Sequence, residues 1–106
     1  MITEIRTYTL YPGKIHDYLK IYQEEGVFDL VREKLGTVMG SYYTEVGELN
    51  QFISLVAYDT FEDRLRRRKE FHAHPVFQSY ATKVRPMIIR QENKILLNAP
   101  FSSKAG

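Results

Sequence analysis

Apolar and polar positions along this chain repeat with two different periods, and each change of period marks a boundary between elements. Residues 2–11 (Ile-Thr-Glu-Ile-Arg-Thr-Tyr-Thr-Leu-Tyr) are rich in β-branched and aromatic types and predict a first strand, closed by Pro12-Gly13. Ile15, Tyr18, Leu19 and Tyr22 then fall at i, i+3, i+4 and i+7, the face of an amphipathic helix. Gly26 interrupts that helix, Phe28, Leu30 and Val31 resume its apolar stretch, and Gly36 is placed to cap its C-terminus. Two strand-like runs follow, 38–46 and 52–58, joined by the turn Gly47-Glu48-Leu49-Asn50. Asp59-Thr60 supply N-cap candidates for the next helix, with Glu62 and Asp63 in its first turn and Phe61 and Leu65 opening its apolar stripe. His74-Pro75 should break this helix, because the residue before proline resists helical backbone angles. Pro75 can then open another short helix that turns Val76, Phe77 and Tyr80 inward. Arg85-Pro86 is the last boundary, residues 87–97 read as strand four, and residues 98–106 as an extended tail.

The order is β-α-β-β-α-β without linker or repeat. It predicts one α+β domain over residues 1–106: a ferredoxin-like fold, with a four-stranded antiparallel sheet and helices on one face. The third strand departs from what such a sheet requires. Alternation puts Phe52, Val56 and Tyr58 on one face and Ile53, Leu55 and Ala57 on the other, so both faces are apolar. A sheet covered on one side should be polar on the other. This one needs cover on both, which predicts self-association into a homodimer or a higher oligomer.

Composition narrows the function classes. A net charge of +2, from 15 basic and 13 acidic residues, is too balanced for binding to a phosphate backbone by bulk charge. The third strand also lacks the basic-Gly-aromatic-Gly opening of an RNA recognition motif, so no nucleic-acid partner is expected. The absence of cysteine excludes disulfides, thiolate nucleophiles and Cys-based metal sites. No apolar run approaches the ~18 residues that span a bilayer. Met1-Ile2-Thr3-Glu4 already reads as strand, with no basic leader, so a cytoplasmic protein is expected.

Candidate chemistry is sparse. Strand one places Glu4, Arg6 and Tyr8 on one face beside Ile2 and Leu10, either as an intrasheet ion pair or as a polar patch inside a pocket. Tyr43 and Glu45 share a face of strand two, opposite Tyr42 and Thr44. Glu62 with Arg66, and Asp63 with Arg67, are i,i+4 surface pairs, whereas Arg64 and Arg68 lie nearer the apolar side and can lean over a cleft. Together with Tyr58, the candidate substrate-binding set is Arg6, Tyr8, Tyr43, Glu45, Tyr58 and Arg64. His72 and His74 stand two apart and point to different sides, which suits a helix surface or a cap rather than a metal, and neither a metal nor a cofactor is expected. No spacing selects a general acid or base.

Several of these segments resemble the NIPSNAP family: Glu4-Ile5-Arg6-Thr7-Tyr8-Thr9-Leu10 with Pro12-Gly13-Lys14; Tyr43-Thr44-Glu45-Val46-Gly47-Glu48-Leu49-Asn50-Gln51; Ala57-Tyr58-Asp59 followed by Arg64, Arg67 and Arg68; Arg85-Pro86; and Gln91-Glu92-Asn93-Lys94-Ile95-Leu96 with Pro100-Phe101. Relatives often carry Trp in the hairpin strands, where this chain has Tyr42, Tyr43 and Val56, so a Trp-dependent pocket contact does not carry over. The resemblance implies a dimeric α+β barrel, two sheets packed face to face, and a family whose biochemical role is undefined. Eukaryotic members are associated with mitochondria and with protein–protein recognition. The barrel is shared with cofactor-independent monooxygenases of the antibiotic-biosynthesis type and with haem-degrading enzymes, a likeness of fold alone. Two readings follow. One is a homodimeric module that binds a small molecule or a protein. The other is a monooxygenase-like or isomerase-like enzyme acting on a small aromatic or carbonyl compound. A haem variant would need an axial histidine facing a cleft, and His72 is the residue available for it.

Overall fold

The computed structural model describes residues 1–102. The elements are β1 (Ile2–Leu10), α1 (Ile15–Glu24), α2 (Val27–Lys34), β2 (Thr37–Tyr43), β3 (Gln51–Tyr58), α3 (Phe61–Ala73), α4 (Pro75–Val84), a 3₁₀ turn (Arg85–Met87) and β4 (Ile88–Leu96). The strands form one antiparallel sheet in the order β2-β3-β1-β4, the ferredoxin-like arrangement.

Each predicted helix is a broken pair, for local reasons. Gly26 adopts φ +80°, which ends α1 and starts α2 in a left-handed conformation that glycine takes without a Cβ penalty. His74 and Pro75 divide the second pair. Pro75 sits at the first position of α4, and the His74 Nδ1 accepts a hydrogen bond from the Val76 amide at 3.1 Å. Thr60 caps α3 by accepting from the Asp63 amide at 3.0 Å.

Pairing fixes which side chains meet the helices. Glu4 lies opposite Val56, Arg6 opposite Ser54 and Tyr8 opposite Phe52. Leu10, Phe52, Val56 and Tyr58 are buried there against Tyr18, Val27, Leu30, Phe71 and Tyr80. Burying a large apolar side chain of this kind contributes about 1.5–3 kcal/mol. The opposite face carries Ile5 against Leu55, Thr7 against Ile53 and Thr3 against Ala57.

Four expectations are corrected. β2 ends at Tyr43 rather than at 46, because the connection is a longer loop with left-handed backbone at Gly47 and Asn50, and Glu45 leaves the sheet. Gly36 is not a left-handed cap; a Cβ there would lie 1.9 Å from the Ala57 carbonyl oxygen, so glycine allows close backbone approach. Phe61 and Leu65 do not open the buried stripe of α3. They are 49% and 55% exposed, and Phe71 is the buried residue of that helix. Arg66 pairs with Asp63 rather than with Glu62. Of the expected tail, residues 103–106 lie outside the described residues, and the Ser102 amide donates to the Ala99 carbonyl in a turn. Among the described residues no helix is long and apolar enough to cross a membrane.

Candidate functional site

A cavity of about 410 Å³ lies between the helices and the sheet and is open to solvent on one side. Its aromatic lining comes from five elements: Tyr8 of β1, Tyr18 and Tyr22 of α1, Phe52 of β3, Phe71 of α3, and Phe77 and Tyr80 of α4, of which Tyr18, Phe52 and Phe71 are at most 4% exposed. The amphipathic spacing of α1 and α4 aims their rings inward; Tyr18 and Tyr22 stack at 6.1 Å, and the pairs involving Tyr8, Phe52 or Tyr80 pack at tilted or edge-on angles with centroids 5.1–6.4 Å apart. Arg6, Arg68, His72, Arg85 and Gln91 also line the cavity. His72, Arg85 and Gln91 are exposed and form its rim.

Beneath the cavity floor is a buried polar network centred on Glu4, which is 1% exposed. Arg64 reaches across from α3 and donates Nε to Glu4 Oε1 at 3.1 Å and a terminal nitrogen to Oε2 at 2.7 Å. Arg6 donates to Oε2 at 3.1 Å, and the Asn93 side-chain amide at 3.0 Å. Burial pushes the Glu4 carboxyl up, but the Arg64 hydrogen bonds and then the charges of Arg6, Arg64 and Arg68 outweigh it and hold the group below its ordinary value. Arg6 also donates Nε and a terminal nitrogen to the Tyr8 phenol oxygen, at 3.1 and 2.8 Å. With both lone pairs of that oxygen occupied, the Tyr8 O–H must donate elsewhere.

Three of the phenols, Tyr18, Tyr22 and Tyr80, are held protonated. Burial raises Tyr18, Tyr22 and Tyr80, and the Tyr18 and Tyr80 hydroxyls bond each other. His72 moves the other way: burial, then the charges of Arg68, Arg6 and Arg64, lower its pKa from 6.5, so the neutral ring is favoured. Its Nε2 lies 3.0 Å from an Arg68 nitrogen and accepts from it.

The expected site residues therefore divide. Arg6 and Tyr8 line the cavity. Arg64 is engaged with Glu4 instead. Tyr58 is 2% exposed in the core; among the described residues its hydroxyl has no hydrogen-bond partner, although the Arg68 guanidinium lies near enough to act on it. Tyr43 sits at the sheet edge with its ring edge-on to His16, and Glu45 is exposed in the β2–β3 loop. The rings of α1 and α4 wall the cavity although they read as core, since helical periodicity gives the inward face and not the depth of the gap behind it. Arg67 ties α3 to α2, donating to Asp63 and to the Lys34 and Leu35 carbonyls.

The NIPSNAP family model matches residues 3–103. The chain belongs to the NIPSNAP family. It is 31% identical over 96 residues to a NipSnap homolog of Dictyostelium discoideum, covering 91% of this chain and only 42% of that protein's length. A solved NIPSNAP family protein of unknown function from Agrobacterium tumefaciens is 37% identical, with a TM-score of 0.89 over 96% of this chain and 91% of that one. An uncharacterised NIPSNAP-like domain protein from Burkholderia xenovorans is 38% identical, with a TM-score of 0.90 over 99% and 90%. An antibiotic biosynthesis monooxygenase-type structure from Nitrosomonas europaea shares the fold of this NIPSNAP domain at 12% identity, with a TM-score of 0.69 over 92% and 98% of the two chains.

Proposed function

We propose that this NIPSNAP domain is a homodimeric binding module that holds a small, largely apolar molecule between its helices and its sheet. The cavity carries this reading: about 410 Å³ walled by aromatic rings, with a few polar groups converging on it. Phenols held protonated offer O–H donors to a ligand, and the Glu4 network fixes Arg6 and hence the orientation of Tyr8. The dimer reading is supported by the other face of the sheet. Among the described residues no helix covers Ile5, Ile53 and Leu55 there, and Tyr42 and Leu96 are 53% and 40% exposed beside them.

A thermal-shift screen of small metabolites tests the cavity. Binders should raise the melting temperature of the wild-type protein and lose their effect in Ala81→Phe, which fills the space from α4. Binders that act equally on both proteins would place the ligand elsewhere. Turnover of a hit under air, without added cofactor, would favour the monooxygenase-like or isomerase-like alternative instead.

A further inference from the structure

Charge is unevenly distributed around the cavity. Arg6, Arg68, Arg85 and His72 line it, and no aspartate or glutamate does. The three arginines differ in what already holds them. Arg6 is engaged by Glu4 and Tyr8. Arg68 bonds to the neutral His72 ring, and neither Arg68 nor Arg85 has a carboxylate within ion-pair distance among the described residues. A second, shallower hollow beyond the rim, about 440 Å³, is lined by His72, Phe77, Gln78, Thr82 and Arg85 and again by no acid. Two guanidinium groups therefore line an aromatic chamber, Arg85 at its rim and Arg68 deeper; among the described residues neither has a carboxylate in direct contact, although Glu4 acts on Arg68 from further off, and the partly desolvated surroundings strengthen their attraction for an anion.

We infer that the ligand is an aromatic monocarboxylic acid, its ring held among Tyr18, Tyr22, Phe52, Phe77 and Tyr80 and its carboxylate received by Arg68 and Arg85. The assignment rests on the cavity being the ligand site, as proposed above. An arginine fork matches a planar carboxylate with two N–H donors. The neutral His72 already accepts from Arg68 and so orients that guanidinium. Flat rings suit the tilted and edge-on aromatic walls better than flexible alkyl chains do. The free Tyr8 O–H gives an acceptor on the ring, such as a hydroxyl or keto oxygen, one further donor.

Acid and amide pairs of the same shape separate the charge from the cavity. Phenylacetate, indole-3-acetate and 1-naphthoate, each against its primary amide, are titrated calorimetrically into the full chain. The best acid should bind at least about tenfold more tightly than its amide, the scale of a charge-assisted hydrogen bond. Arg85→Gln, at an exposed position, and Arg68→Gln should each weaken the acid several-fold more than the amide and so bring the two affinities together. Gln91→Glu, which adds an opposing charge at the rim, should weaken the acid alone. Equal affinity of acid and amide, abolished for both by Ala81→Phe, would overturn the carboxylate assignment and leave the cavity as the site. Failure of every probe to bind would also overturn the assignment. Binding indifferent to Ala81→Phe would overturn the assignment and the cavity together.

Discussion

Glu4 is a carboxylate with four hydrogen bonds and almost no exposure, supplied by Arg6, Arg64 and Asn93 from its own strand, an opposite helix and the last strand. Such a site is stable only while complete, since removing one partner leaves a buried charge uncompensated. Arg64→Ala should therefore cost about 3 kcal/mol in urea unfolding, and any loss of ligand affinity should follow from that destabilisation. A melting temperature within a degree of wild type would instead return Arg64 to a direct role at the cavity. The Glu4 pKa also sets an acid limit. Because the folded value lies below the ordinary 4.5, the unfolded chain binds the proton more readily. The Glu4 contribution is complete above pH 4.5 and is lost as pH falls through the folded value. Glu4→Gln should be less stable than wild type at pH 7, with the difference shrinking as unfolding is followed downward from pH 4.5. Strict alternation in β1 makes the shared face of Glu4, Arg6 and Tyr8 legible in the sequence. Their partner is not legible, because Arg64 is 60 residues away and the phase of α3 carries no strong apolar stripe to orient it. The exposure of Phe61 and Leu65 reflects the same weakness.

At the scale of elements, two glycines do different work. Gly26 has open space around its Cα and a left-handed backbone, so Gly26→Ala meets only the conformational penalty, about 1–2 kcal/mol. Gly36 has ordinary backbone angles but no room, since a Cβ would collide with the Ala57 carbonyl and force β2 away from β3. Gly36→Ala should be the more damaging of the two, and equilibrium unfolding of both variants checks the order. The positions of these breaks are readable from the chain, because Gly26 and His74-Pro75 interrupt helical periodicity. The early end of β2 is not, because a Gly-Glu-Leu-Asn turn and a longer loop share the same residue types. The gap that forms the cavity is also absent from any single element. It depends on how far α1 and α4 stand from the sheet, which is set by bulk on both sides.

The whole molecule presents one face covered by helices and one face bare. The sequence anticipates this in the doubly apolar third strand, and the structure leaves Ile5, Ile53 and Leu55 only half-buried. A second copy laid sheet to sheet would complete their burial and convert two separate cavities into a symmetric pair on the outside of a shared barrel. Leu55→Lys should then shift the protein from dimer to monomer in light scattering and make it melt lower. A wild-type protein that remains a non-aggregating monomer at micromolar concentration would remove the barrel and leave the cavity. The cavity itself is most directly tested by its own tyrosines. Tyr8, Tyr18, Tyr22 and Tyr80 line it, whereas Tyr11, Tyr42 and Tyr43 lie exposed elsewhere on the surface. Aromatic-ring NMR on tyrosine-labelled protein, titrated with the tightest-binding aromatic acid, should move the first four sets of signals and leave the other three in place. Shifts confined to Tyr11, Tyr42 and Tyr43 would contradict a ligand site between helices and sheet.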